Sequence, residues 1–155
     1  MTGIKLNLGC GSDIHTGFVN IDVRRLPGVD VVMCILKLPF KDSTVEYVLL
    51  QDILEHFTII DGQLLLNSCS RVMKTGAEIL IRVPNLPKLY ELYKSGVLDD
   101  VQYQQHIFGG QDYPENFHKS GYTPKLLSNM CIKAGIKNNI TITDAVSNFC
   151  LLGVK

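Results

Sequence analysis

The sequence predicts an α/β domain: a mostly parallel, seven-stranded sheet with an antiparallel hairpin at its C-terminal edge and helices on both faces. Short, continuously apolar runs alternate with amphipathic stretches, as strands covered on both sides alternate with crossover helices. Glycines punctuate the joints between them. The last two apolar runs are separated by a turn too short for a parallel crossover, which needs a dozen residues or more.

The elements follow in chain order. Ile4 to Leu8 predicts a first strand that stops at Gly9-Cys10-Gly11. Phe18 to Asp22 predicts a second, ending on an acid, and Val29 to Met33 a third. Val45 to Leu50 is nearly all apolar and predicts a fourth. From Gln63 to Met73, Leu65, Leu66, Cys69, Val72 and Met73 share one helical face, with Gly76 as the stop. Glu78 to Val83 predicts the fifth strand. Thr123-Pro124 reads as an N-cap with proline in the first turn, opening a helix to Ala134 that turns Leu126, Leu127, Met130 and Ala134 inward. Ile140 to Thr143 and Phe149 to Val154 form the hairpin around the turn 144–148.

A chain of 155 residues fits one domain. Residues 86–122 stand apart within it: they hold five of the six tyrosines, with His106, His118 and Gly109-Gly110. A segment of that length between sheet elements suggests a lid or substrate-facing surface, or else an ordinary helix and packed loop. Equal numbers of acidic and basic residues give zero net charge, which disfavours binding a phosphate backbone and so a nucleic-acid partner. No apolar run approaches the ~20 residues of a membrane span. The five cysteines are odd in number and form no C-x-x-C pair. Together with an N-terminus that enters a strand directly, they point to free thiols in the cytoplasm.

Chemistry begins at the first loop. Glycines at 9 and 11 permit close approach of backbone to a ligand, and a helix after the loop would offer free N–H groups to an anion or carboxylate. Asp22 closes the next strand, where a carboxylate can accept two hydrogen bonds from a ribose diol. This is a poor dinucleotide fingerprint: its third glycine would fall at Ile14, and Asp22 lies thirteen residues past Gly9 rather than about 20. The crossover helix therefore has room for only a turn or two. A purely structural tight turn is the bland alternative.

Leu6-Asn7-Leu8-Gly9-Cys10-Gly11, Asn20-Ile21-Asp22, Leu38-Pro39-Phe40, Leu54-Glu55-His56-Phe57 and Arg71-Val72-Met73-Lys74-x-Gly76 occur in that order. Together they resemble the class I S-adenosylmethionine-dependent methyltransferases, most closely the small bacterial type. The resemblance is strong over residues 4–85 and looser in the hairpin. It implies a Rossmann-like fold and S-adenosylmethionine as cofactor. It places Gly9, Cys10 and Gly11 along the methionine part, Asp22 on the ribose, Val23, Cys34 and Ile35 at the adenine, and Gln51 beside the donor methyl. Cys34 stands where an adenine-binding Asp is common, Thr75 and Ala77 replace a Pro and a Gly, and Asp52 replaces a common His.

Acceptor-facing residues belong at the carboxyl ends of the strands. These are Asp52, Glu55 and His56 after the fourth strand, Asn85 after the fifth, and His106, Tyr113 and His118 in the 86–122 segment. Asp52, His56 and His118 are the catalytic candidates, with His56 first as base and His118 second; Asn85, His106 and Tyr113 are the substrate-binding candidates. His56 bracing its helix and Glu55 pairing with backbone are the structural alternatives. The preferred acceptor is an oxygen or nitrogen of a small polar molecule, with no metal. A second possibility is an inactive cofactor-binding or partner subunit. A third takes Asp52, Glu55, His56 and His118 as a divalent-metal set, resembling the methyltransferases that modify the 3′ ends of small RNAs. Oligomeric state is not legible.

Overall fold

The computed structural model describes residues 3–136 and 138–155. Its sheet contains β1 (Ile4–Leu8), β2 (Val19–Asp22), β3 (Val31–Val32), β4 (Val45–Gln51), β5 (Met73–Pro84), β6 (Asn138–Ala145) and β7 (Asn148–Val154). The spatial order is β3-β2-β1-β4-β5-β7-β6. The first five strands run parallel, and β7 lies antiparallel to both β5 and β6. This is the sheet the sequence predicts. Order reversal about β1 opens a crevice at the carboxyl ends of β1 and β4, where ligands bind in open α/β sheets.

The core follows the period-2 burial of β5. Ile79, Ile81 and Val83 are fully buried, while Leu80 and Arg82 on the opposite face are half-exposed. The buried set forms one cluster with Phe149 and Leu151 of β7 and the inward faces of α1 (Ile59–Val72) and α4 (Pro124–Lys133). α1 starts one turn earlier than its hydrophobic pattern suggested. Thr58 accepts a hydrogen bond from the Asp61 N–H, and such a cap tolerates the exposed Ile59 and Ile60 in the first turn. The helix stops at Val72, and β5 begins at once with Met73 rather than at Glu78. The sheet partner of Met73 is Val45, so tertiary pairing overrides the local glycine signal at Gly76.

The predicted helix after the glycine loop is absent. Residues 9–18 are turns, and no helix lies in the connections joining β1 through β4 among the described residues. Those connections therefore supply no helical cover to the sheet. Two buried asparagines do the ordering instead. Asn7 donates to the Asn20 side chain (3.0 Å) and to the Asp13 carbonyl (2.7 Å), and Asn20 accepts from the His15 N–H (2.9 Å). Asp30 in turn accepts from the Asn20 backbone N–H (2.8 Å) and side chain (3.1 Å). A closed network of this kind fixes a loop that has no helical ladder of its own.

The 86–122 segment contains α2 (Leu86–Lys94) and α3 (Asp100–Phe108), which pack on each other through stacked Tyr93 and Tyr103 rings at 4.6 Å. A strap from Gly109 to Tyr122 then returns to the sheet. Gly109 has φ +83°, and a Cβ there would sit 2.3 Å from the Asn116 carbonyl oxygen, so only glycine closes this turn. No helix of the described residues is long and apolar enough to cross a membrane.

Candidate active site

A cleft runs along the carboxyl ends of β1, β2 and β4 in three connected parts. The first, about 260 Å³, is lined by Val23, Met33, Cys34, Ile35, Ile53 and Phe57, with Pro114, Glu115 and Lys119 of the strap opposite. The second, about 270 Å³, follows Gly9, Cys10, Gly11 and Asp22 and is bounded by Arg24 and Tyr113. The third, about 540 Å³, is polar: Asp52, Glu55, His56, Arg82, His106, His118 and Asn148 line it. His56 borders all three parts.

The glycine loop is built for close approach. Gly9 (φ +67°) and Gly11 (φ +52°) adopt left-handed conformations, and a Cβ on Gly9 would lie 2.3 Å from the Ile53 side chain. Asp22 is 4% exposed. Its Oδ2 accepts the Gly11 N–H (2.8 Å), and its Oδ1 accepts the Arg24 N–H (2.8 Å) and Nε (3.3 Å). Oδ2 retains an acceptor site for a ligand hydroxyl, and Oδ1 regains one when the longer Arg24 Nε contact is given up. Arg24 also lies 4.3 Å from the Tyr113 ring centroid, which ties strap to loop across the cleft.

In the third part, Asp52 (φ +51°) forms a two-pronged ion pair with Arg82, whose Nε donates to Oδ1 at 3.0 Å and whose Nη2 donates to Oδ2. Asn148 adds a further bond to Oδ1 (2.7 Å). The Asp52 carboxylate is thus held by these partners and does not join Glu55, His56 and His118, which corrects the four-residue metal set. Glu55 is 1% exposed, and burial pushes its carboxyl up to about 8. His56 and His118 meet edge to face with ring centroids 4.9 Å apart. Burial holds both imidazoles below the usual histidine range, helped at His118 by its proximity to His56.

Most of the sequence candidates converge. Gly9, Cys10, Gly11, Asp22, Val23, Cys34 and Ile35 line the first two parts; Asp52, His56, His106, Tyr113 and His118 line the third. Two do not. Gln51 remains within β4 opposite Arg82, and Asp52 and Ile53 face the cleft in its place. Asn85 is buried and accepts the Lys88 N–H as the α2 N-cap, so its carbonyl oxygen is committed to structure. Arg24, Arg82 and Asn148 were missed. For Arg82 a signal existed: a lone cation inside the apolar run Ile79-Leu80-Ile81-Arg82-Val83 has a partner or a ligand.

Residues 6–81 match the sequence model of a family described as a methyltransferase domain. The chain carries a methyltransferase domain. S-adenosylmethionine is the cofactor of the class I group, and the cleft of this methyltransferase offers apolar walls, a buried carboxylate and a glycine loop, a set that suits that cofactor. An S-adenosylmethionine-dependent methyltransferase from Archaeoglobus fulgidus superposes with a TM-score of 0.69 at 17% identity, over 99% of this chain and 86% of that one. One from Methanosarcina mazei gives 0.68 at 17% identity, over 99% and 92%. The 1,6-didemethyltoxoflavin N1-methyltransferase of Burkholderia thailandensis, solved with its substrate and S-adenosylhomocysteine, gives 0.68 at 12% identity, over 99% and 71%. These likenesses establish a common fold. No curated protein matches the chain in sequence.

The cysteines report on the cleft. Cys34 is exposed at its apolar end, whereas Cys69 and Cys131 are buried and pushed up to about 12. Iodoacetamide should alkylate Cys34 and spare Cys69 and Cys131, because the thiolate is the reacting species. S-adenosylhomocysteine at 100 times its Kd leaves ~1% of sites open and should slow Cys34 alkylation more than tenfold. Peptide mass spectrometry reads both rates. An unprotected Cys34 would place the adenine elsewhere.

Proposed function

We propose that this methyltransferase acts on an oxygen or nitrogen atom of a small polar acceptor bound in the 540 Å³ cavity. The observation that carries the reading is the position of that cavity. It adjoins the glycine loop, falls in the usual size range for small ligands, and is lined by hydrogen-bonding side chains rather than by a cationic groove. S-adenosylmethionine supplies an electrophilic methyl on sulfur. The protein contributes alignment of donor and acceptor, an effect worth ~7–11 kcal/mol in well-oriented reactions. His56 and His118 are the catalytic groups, since both stand on the cavity wall with depressed basicity and so present neutral imidazoles near pH 7. A neutral imidazole has a free lone pair, which can take the proton of an acceptor hydroxyl or amine. Arg82, Asn148 and His106 offer donors that orient a polar acceptor. The 86–122 segment, through its strap, forms the acceptor-facing wall.

The test is formation of S-adenosylhomocysteine across a panel of amines, hydroxylated metabolites and sugars, with bulk protein and RNA as separate arms. Turnover on a small acceptor, reduced ~10²-fold or more in His56→Ala, is the expected result. Turnover confined to protein or RNA would overturn the acceptor class. Tight cofactor binding with no turnover in any arm would favour a binding subunit.

A further inference from the structure

The two imidazole lone pairs can be spent in another way. Among the described residues, two buried side-chain atoms have no hydrogen-bond partner, and they belong to adjacent residues: Glu55 Oε2 and His56 Nδ1. Buried polar atoms are paired in the great majority of cases, so two orphans side by side at the floor of a polar cavity require a reason. His118 supplies a third group. Its Nδ1 lies 3.1 Å from the His106 carbonyl oxygen. A carbonyl only accepts, so this contact places the proton on Nδ1 and leaves the Nε2 lone pair free. That is the arrangement by which a second-shell carbonyl orients a metal-binding histidine. One donor atom from each of Glu55, His56 and His118 lies within 4.8 Å of the other two.

We propose that Glu55, His56 and His118 form a binding site for a divalent transition-metal ion. Donors about 2.1 Å from a common ion stand roughly 3–4 Å apart, so a modest closure of the strap onto the Leu54–His56 turn completes the geometry. That closure is prepared, because Lys119 and Ser120 already donate their N–H groups to the Glu55 carbonyl at 2.8 and 3.1 Å. Two imidazole nitrogens and one carboxylate suit zinc, manganese or iron(II), and three protein ligands leave coordination positions open. All three residues line the acceptor cavity. The inference rests on the methyltransferase reading for its consequence: in the metal-loaded chain the acceptor presents an oxygen or nitrogen to the ion, and the base role of His56 belongs to the metal-free chain. Asp52 has no part, since Arg82 and Asn148 hold it.

The experiment uses the full chain stripped with a chelator and titrated with MnCl2 or ZnCl2 by calorimetry, with thermal melting alongside. One ion per chain is expected, and saturation at 100 times Kd should raise Tm by ~5–10 °C. His118→Ala and the near-isosteric Glu55→Gln should each weaken binding at least tenfold while melting, metal-free, within a few degrees of wild type; His15→Ala, outside the cluster, should bind as wild type does. No ion at 100 µM metal, or equal affinity in all variants, would overturn the site. A separate titration with S-adenosylhomocysteine keeps the two readings distinguishable: metal binding without cofactor binding breaks the methyltransferase reading alone, and the converse breaks this one alone.

Discussion

Asp22→Ala should weaken S-adenosylmethionine binding by ~100-fold or more, measured by calorimetry. In the expected cofactor pose the carboxylate accepts both ribose hydroxyls, and charge-assisted hydrogen bonds are worth ~1.5–3 kcal/mol each, so losing two removes about 3 kcal/mol at the least. A second cost falls on the free protein. The Gly11 N–H and the Arg24 N–H lose their acceptor, and Gly11 is the residue whose left-handed backbone shapes the loop. Asp22→Asn separates the two effects. It preserves volume and one carbonyl acceptor, so the loop should hold while affinity drops about tenfold. Wild-type affinity in Asp22→Ala, with a normal melt, would mean that the ribose lies elsewhere and that the glycine loop is scaffold alone.

Asp22 also shows how much of this molecule could be read from sequence. Its place at the end of a short apolar strand, after a glycine loop, was enough to put it on the cleft. Apolar periodicity likewise placed β1, β4, β5, β7 and the inward faces of α1 and α4, because burial of those residues drives the fold and leaves a periodic trace. What failed had no such trace. The crossover after β1 is ordered by Asn7 and Asn20, and a pair thirteen residues apart is visible only once two strands are in register. Gln51 stays in the strand while Asp52 faces the cleft as expected, because the chain turns to φ +51° at Asp52, a conformation uncommon outside glycine and not written in the strand pattern. Asn85 was read as a ligand and proved to be a helix cap, two roles that ask for the same side chain. His56 and His118 were named together from the sequence, but the contact between their rings is made by the strap, whose path depends on Gly109 and on the anchor at its far end.

That anchor is Tyr122, and its removal carries the largest expected structural effect. The ring is fully buried, and the hydroxyl donates to the Leu54 carbonyl (3.3 Å) while accepting from Ser120 Oγ (3.2 Å). The fit is tight on the α1 side, where a Cβ on Gly62 would come within 3.0 Å of the hydroxyl oxygen. One side chain therefore fastens the end of the strap to the short Leu54–His56 turn that carries Glu55 and His56. Tyr122→Ala should cost ~3–5 kcal/mol through the cavity left behind, lowering Tm by roughly 10 °C. Tyr122→Phe keeps the ring, leaves the Leu54 carbonyl without its donor, and should cost only ~1–2 kcal/mol. The functional consequence should be one-sided. Ser120, Lys119 and His118 lose one of their anchors and keep the contacts to the Glu55 and His106 carbonyls, so the acceptor KM should rise steeply in Tyr122→Ala. S-adenosylmethionine affinity should change far less, because Gly9, Gly11, Asp22 and Ile35 stand on the sheet side of the cleft. Equal loss of both affinities would show that strap and glycine loop move as one unit, coupled through the Arg24–Tyr113 contact rather than through Tyr122.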